Sequence, residues 1–152
     1  MDVTYRMATA EDAAALAQLR LELLLEEHAG DHVGADEYVA AHVRRIQPEL
    51  ARGTQCAWLA EVDGAPVASV QLIWAPMPPN IDLSERRRGF VSSVYTQPLY
   101  RRQGIGRQLM TRLIEHARCG HVTVLVLWSS EMGQPFYASL GFQPSRGLEL
   151  TF

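Results

Sequence analysis

Cysteine is scarce: two residues, Cys56 and Cys119, in a chain of 152. That excludes a disulfide framework, their spacing fits no metal site, and the pair is compatible with a reducing cytoplasm. Excess positive charge is missing too. A net charge of −3 argues against nucleic acid or an anionic membrane as the bulk partner, so any basic patch must be local. No run approaches the ~18 apolar residues that mark a membrane span. The opening "MDVTYRMATAED" has no apolar signal region, and no internal repeat or low-complexity tract appears. What is there is an ordinary globular composition, 47% apolar and 20% charged, and enough chain to bury one core. The expectation is a single cytoplasmic domain over residues 1–152.

Periodicity predicts an α/β order. "VTYRMAT" alternates as a short strand. Thr9 and the acidic residues after it open a helix that carries Leu16, Leu19, Leu23 and Leu24 on one face. A second helix is expected from Ala35 to Arg52, weakened by Pro48. "QCAWLAEV" and "APVASVQLIWA", joined by Asp63–Gly64, read as a hairpin. "PMPPNIDLSERRR" reads as a loop and "GFVSSVYT" as a strand. A helix from Gly104 to Arg118 turns Ile105, Leu109, Leu113 and Ala117 inward and stops at Gly120. "HVTVLVLW" reads as a strand covered on both faces, a short helix lies near Gly133–Leu140, and "GLELTF" closes as a strand.

The segment "YRRQGIGRQLM" departs from the usual helix start, which favours a Ser, Thr, Asp or Asn cap and acidic residues. Gly104 and Gly106 let a ligand approach the backbone closely, and the first helical turn offers N–H groups without partners and a partial positive potential. Arg101, Arg102 and Arg107 deepen that potential. The combination suits an anion, and a pyrophosphate is the natural guest. A phosphate-binding GxxxxGK[ST] loop is absent, as is the dinucleotide fingerprint GxGxxG.

"SSVYTQPLYRRQGIGRQLM" resembles the core motif of the GCN5-related N-acetyltransferase (GNAT) superfamily, in which a strand and a Pro-containing turn lead through [Q/R]xxGxG/A into a helix. "WSSEMGQPFYASLGF", Trp128 to Phe142, resembles the family's second signature, ending in FYxxLGF. The resemblance covers Gly89 to Phe142 firmly and the rest more loosely. It implies a central, mixed and strongly twisted sheet of about six to seven strands, with helices on both faces and a splay between the fourth and fifth strands. It also implies acetyl-CoA as co-substrate, with no metal.

Carried over residue by residue, the resemblance assigns the pyrophosphate to Arg101, Arg102, Gln103, Gly104, Ile105, Gly106 and Arg107. Main-chain groups of Val94, Tyr95 and Thr96 would pair with the pantetheine arm as though it were an added strand. An N–H near Val94 would point at the thioester oxygen, and Tyr137 would serve the departing thiolate. Ser130 stands where many members carry Asn, and Gly133 where they carry Ala. Ser130 either binds the pantetheine amide or caps the following helix. Candidates for handling the acceptor amine are Glu26, Glu27, Asp82, Glu85 and the hydroxyls of Ser92 and Ser93.

Other features carry blander readings. His28 and His32 have i,i+4 spacing, but Gly30 lies between them and no third ligand is evident. Arg86–Arg88 either reach the cofactor's 3′-phosphate or are solvated loop charges. Cys119 reads as a buried packing residue, and Trp58, Trp74 and Trp128 as core aromatics. The activity implied is direct transfer of an acetyl group from acetyl-CoA to a small primary amine. The alternatives are a protein acetyltransferase and a non-catalytic acyl-CoA sensor. Dimers are common in the family, and the C-terminal strand is a plausible contact.

Overall fold

A computed structural model describes residues 1–28, 34–82, 84 and 86–152. The chain runs β1 (Val3–Met7), α1 (Ala13–Glu27), α2 (Ala35–Arg52), β2 (Gln55–Val62), β3 (Ala65–Met77), β4 (Arg86–Thr96), α3 (Ile105–Cys119), β5 (Val122–Val126) and α4 (Gln134–Ala138). The strands form one five-stranded sheet in sequence order. The first four are mutually antiparallel, whereas β5 runs parallel to β4. Among the described residues no helix is long and apolar enough to cross a membrane.

Local chemistry accounts for most boundaries. Thr9 and Asp12 form a capping box ahead of α1. Asp63 and Gly64, with φ of +51° and +77°, close the β2–β3 hairpin with the left-handed geometry that a two-residue turn needs. Pro48 is absorbed within α2, which runs unbroken to Gly53, where φ reaches +70° and stops it.

Two apolar layers lie on opposite faces of the sheet. On one, Ile105, Leu109, Met110, Leu113 and Ala117 of α3 pack on Trp58, Val70, Leu72 and Val91. On the other, Leu16 and Leu19 of α1 and Ile46 of α2 pack on Ala57, Leu59 and Tyr95. At one sheet edge, Arg6 on β1 bonds Asp12 at 2.7 Å and Glu61 at 2.7 Å, tying the start of α1 to β2.

Three expectations are corrected. Among the described residues the sheet has five strands rather than six to seven, because "GLELTF" forms none. Leu148, Leu150 and Phe152 are exposed, and alternation without a bonded neighbour does not make a strand. "HVTVLVLW" is consequently an edge, with Val124 exposed instead of covered on both faces. Cys119 is exposed at the end of α3, and it is Cys56 that is buried. Burial pushes the Cys56 thiol up to about 12, so it supplies no thiolate nucleophile.

Arg6 holds the Asp12 carboxyl down at about 2. The sign follows: stability from this contact is fully present above the carboxyl's ordinary value of 3.8 and is lost as pH falls through about 2. Asp12→Asn is expected to cost about 1–2 kcal/mol at neutral pH. Melting curves should show its gap from the parent narrowing across that acid window.

Candidate active site

The register of β4 decides the site. Ser69 and Gln71, two steps apart on β3, face Tyr95 and Ser92, three steps apart on β4. One extra residue is therefore inserted, and Ser93, with φ of +50°, takes the strained position of the bulge. A one-residue slip exchanges the faces of a strand. Val91 and Val94 accordingly pack with α3, while Tyr95 turns into the α1/α2 layer. Ser93 is held from both sides: Arg20 of α1 donates to its Oγ at 2.8 Å, and Ser69 donates to its carbonyl at 3.4 Å.

Beyond Phe90 the parallel strands part. Pairing of β4 with β5 ends at Phe90 opposite Val126, so Val91 to Thr96 have no β5 neighbour on that side. The opening is a cleft edged by main-chain amides and carbonyls. Phe90 and Trp128 stack at its root, with ring centroids 6.2 Å apart and planes 4° off parallel. Trp128 is 71% exposed there, whereas Trp58 is core and Trp74 stacks on His116.

The glycine turn stands at the mouth of the cleft. Arg102 and Gly104 have φ of +62° and +82°, and α3 starts from Gly104 with no side-chain cap. The first N–H to find a helical carbonyl is that of Gln108, on Gly104. Those of Ile105, Gly106 and Arg107 point out of the helix end. A methyl on Gly106 would lie 3.7 Å from Phe136 and 3.8 Å from Thr96 Oγ1, ordinary contacts that fill the space between the turn, β4 and α4. The fold does not need Gly106 bare.

The flanking arginines differ from the expected pattern. Arg101 donates to both oxygens of Glu26, at 2.8 and 2.7 Å, and to the Thr96 carbonyl at 2.8 Å. Arg107 bonds Ser139 at 2.6 Å, and Gln103 bonds the Leu99 carbonyl at 3.2 Å. Arg102 is exposed on the turn itself.

Tyr137, on α4, sits edge-on against Phe136 and Phe142. Burial, with the negative charge of Glu27 adding to it, raises the pKa of its phenol. Glu27 of α1 is thereby brought into electrostatic reach of Tyr137. Glu26 is not available in the same way, since Tyr95 and Arg101 occupy both its oxygens and hold its carboxyl below the usual range. A methyl on Gly133 would stand 3.3 Å from the Tyr137 ring, so glycine there lets the ring close in. Ser130 caps the turn before α4, accepting from Gly133 N at 3.2 Å.

Other candidates fall outside this cluster. The β3–β4 loop leaves from Met77 and Arg86, at the end where β4 stays paired, and Asp82 there bonds Ser84. Glu85 and His32 lie outside the described residues, and the described ones contain no metal-binding cluster. Arg20, Phe90 and the Tyr95–Glu26 bond were not signalled by any local motif. The bulge had one trace, the Ser92–Ser93 pair interrupting an apolar alternation.

The two glycines of the turn separate backbone strain from contact. Gly104→Ala is expected to lower stability by about 1–2 kcal/mol although nothing lies within 4 Å of a methyl there. Gly106→Ala should leave thermal unfolding unchanged or slightly raised.

Solved structures share this architecture. A predicted acetyltransferase from Clostridium acetobutylicum, solved with acetyl-CoA, is 26% identical over 99% of this chain and 96% of its own, with a TM-score of 0.85. A GCN5-related N-acetyltransferase from Ralstonia eutropha JMP134 is 27% identical over 99% of both chains, with a TM-score of 0.83. A ribosomal-protein-alanine N-acetyltransferase from Brucella melitensis, 21% identical over 99% of this chain and 98% of its own at a TM-score of 0.72, shares the fold alone. No curated protein matches the sequence. The model of the acetyltransferase (GNAT) family matches residues 18–142. With its parted parallel strands, its uncapped glycine turn and that match over most of its length, this chain belongs to the acetyltransferase (GNAT) family.

Proposed function

We propose that the protein transfers an acetyl group from acetyl-CoA directly to the primary amine of a small molecule. One observation carries the reading: a sheet edge left bare from Val91 to Thr96 leads to an uncapped, glycine-lined helix start. A thioester on a pantetheine arm and a diphosphate are the chemistry that such an edge and such a turn accept together. Acetyl-CoA supplies the activated acyl group, and the remaining roles belong to this chain.

The amides from Arg102 to Arg107 hold the diphosphate, with the Arg102 side chain adjacent. Main-chain groups of Val94, Tyr95 and Thr96 bond the pantetheine arm. The Val94 N–H, fixed by the bulge, donates to the thioester oxygen, which gains charge as the amine adds. Donors aimed in advance at that oxygen need no reorganisation, and one such bond is worth roughly 3–4 kcal/mol of barrier.

Overall the amine nitrogen gains the acyl carbon and loses a proton, the carbon–sulfur bond breaks, and the sulfur leaves as thiolate. A phenol of pKa about 10 facing a thiol of about 8.5 is a poor acid for full transfer, and burial makes Tyr137 poorer still. Tyr137 therefore donates a hydrogen bond to the sulfur, which is finally protonated from water. Glu27 receives the amine proton directly or through water, since its charge acts on Tyr137 while Glu26 is committed elsewhere. Ser92 and Ser93 flank that path on β4. The exposed Trp128 face on Phe90 provides a flat apolar wall beside it, favouring a compact amine with an apolar body.

The test is release of coenzyme A thiol across a panel of small amines and a lysine-containing peptide. Acetylation of one or more small amines, with the peptide inert, supports the reading. Acetylation of the peptide alone would make the enzyme protein-directed, and acetyl-CoA binding without transfer to any acceptor would make the protein a sensor. Tyr137→Phe should reduce turnover at least tenfold and leave affinity for coenzyme A nearly unchanged. Equal turnover would remove Tyr137 from the chemistry.

A further inference from the structure

The end of α1 grips the segment that leads into the glycine turn at three points. Glu26 accepts from the Tyr95 hydroxyl at 2.6 Å and from Arg101 at 2.8 and 2.7 Å. Glu22, one turn earlier, accepts from Gln97 Nε2 at 3.1 Å. Arg101 closes the loop on itself by donating to the Thr96 carbonyl at 2.8 Å, with its guanidinium 5.6 Å from the centre of the Tyr95 ring. The bulge makes this clasp feasible, because only the slipped register turns Tyr95 toward α1. Tyr95 is 5% exposed, so its hydroxyl reaches Glu26 from a buried residue.

An ion pair as exposed as Glu26–Arg101 adds little to global stability. Its geometry has another consequence. The guanidinium is turned back toward α1 and the end of β4, while the chain on its far side bends through the left-handed Arg102 and Gly104. We infer that Glu26 is a positioning residue for the anion site: through Tyr95 and Arg101 it fixes the entry angle of the glycine turn, so that the amides, rather than the Arg101 side chain, face the diphosphate. The inference rests on the turn being the coenzyme A site. It makes Arg101 a strut instead of an anion ligand.

The sign of one substitution decides it. If Glu26 merely kept a cationic ligand away from the diphosphate, its neutralisation would release Arg101 and tighten binding. If Glu26 holds the turn in register, neutralisation weakens binding. Calorimetric titration of the full-length protein with coenzyme A, without acceptor, reads this directly. The Kd of Glu26→Gln is expected to rise about tenfold with the cooperative melt preserved. Arg101→Lys keeps the charge but loses the planar fork that spans Glu26 and Thr96, and is expected to weaken binding by a similar factor. Equal or tighter binding by Glu26→Gln overturns the inference, as does parent-like affinity in Arg101→Lys. Failure of the parent protein itself to bind coenzyme A would instead overturn the functional reading beneath it.

Discussion

One inserted residue in β4 organises this molecule. The bulge at Ser93 reverses which way the strand's side chains face, and both apolar layers depend on that reversal. Val91 and Val94 complete the α3 layer, and Tyr95 completes the α1/α2 layer. Just before the bulge the pairing with β5 ends, which leaves main-chain groups pointing into a cleft. Buried unpaired backbone is costly, so such an edge persists only where water or a ligand reaches it. The strained φ at Ser93 is maintained because Arg20 and Ser69 both bond the residue, from α1 and from β3.

Charge is spent locally in the same pattern. Basic side chains cluster around the glycine turn, yet two of the three are directed elsewhere: Arg101 to Glu26 and Arg107 to Ser139. The helix start itself is uncapped, with glycine at Gly104 and Gly106. The paired carboxylates at the end of α1 divide in the same way. Glu26 is bonded by Tyr95 and Arg101 and held ionised by them, whereas the charge of Glu27 adds to the raised pKa of Tyr137.

Much of this was legible in the amino-acid order, and the misses have physical causes. α3 was readable because its apolar residues recur at helical spacing and glycines bracket it, and the hairpin at Asp63–Gly64 because few other residue pairs adopt that turn. The two motifs, around Gly104 and around Tyr137, carried the resemblance to the family whose model matches residues 18–142. The pairing of Arg101 was not readable, because its partner Glu26 lies 75 residues away and contact across the fold leaves no local pattern. Strand count failed at the C-terminus: "GLELTF" alternates well, but pairing depends on a neighbour, and the described tail has none. Cys119 was misjudged because its place at the last turn of α3 puts it past the stretch that the sheet covers.

The central claim is that the bare edge of β4 receives a ligand as an added strand. Amide hydrogen exchange resolved to single residues over Val91–Thr96, with and without coenzyme A, tests it most directly. Amides in this stretch are expected to exchange readily in the free protein and to become strongly protected on binding, together with those of Ile105 to Arg107. Exchange already slow in the free protein and unmoved by saturating coenzyme A would contradict it.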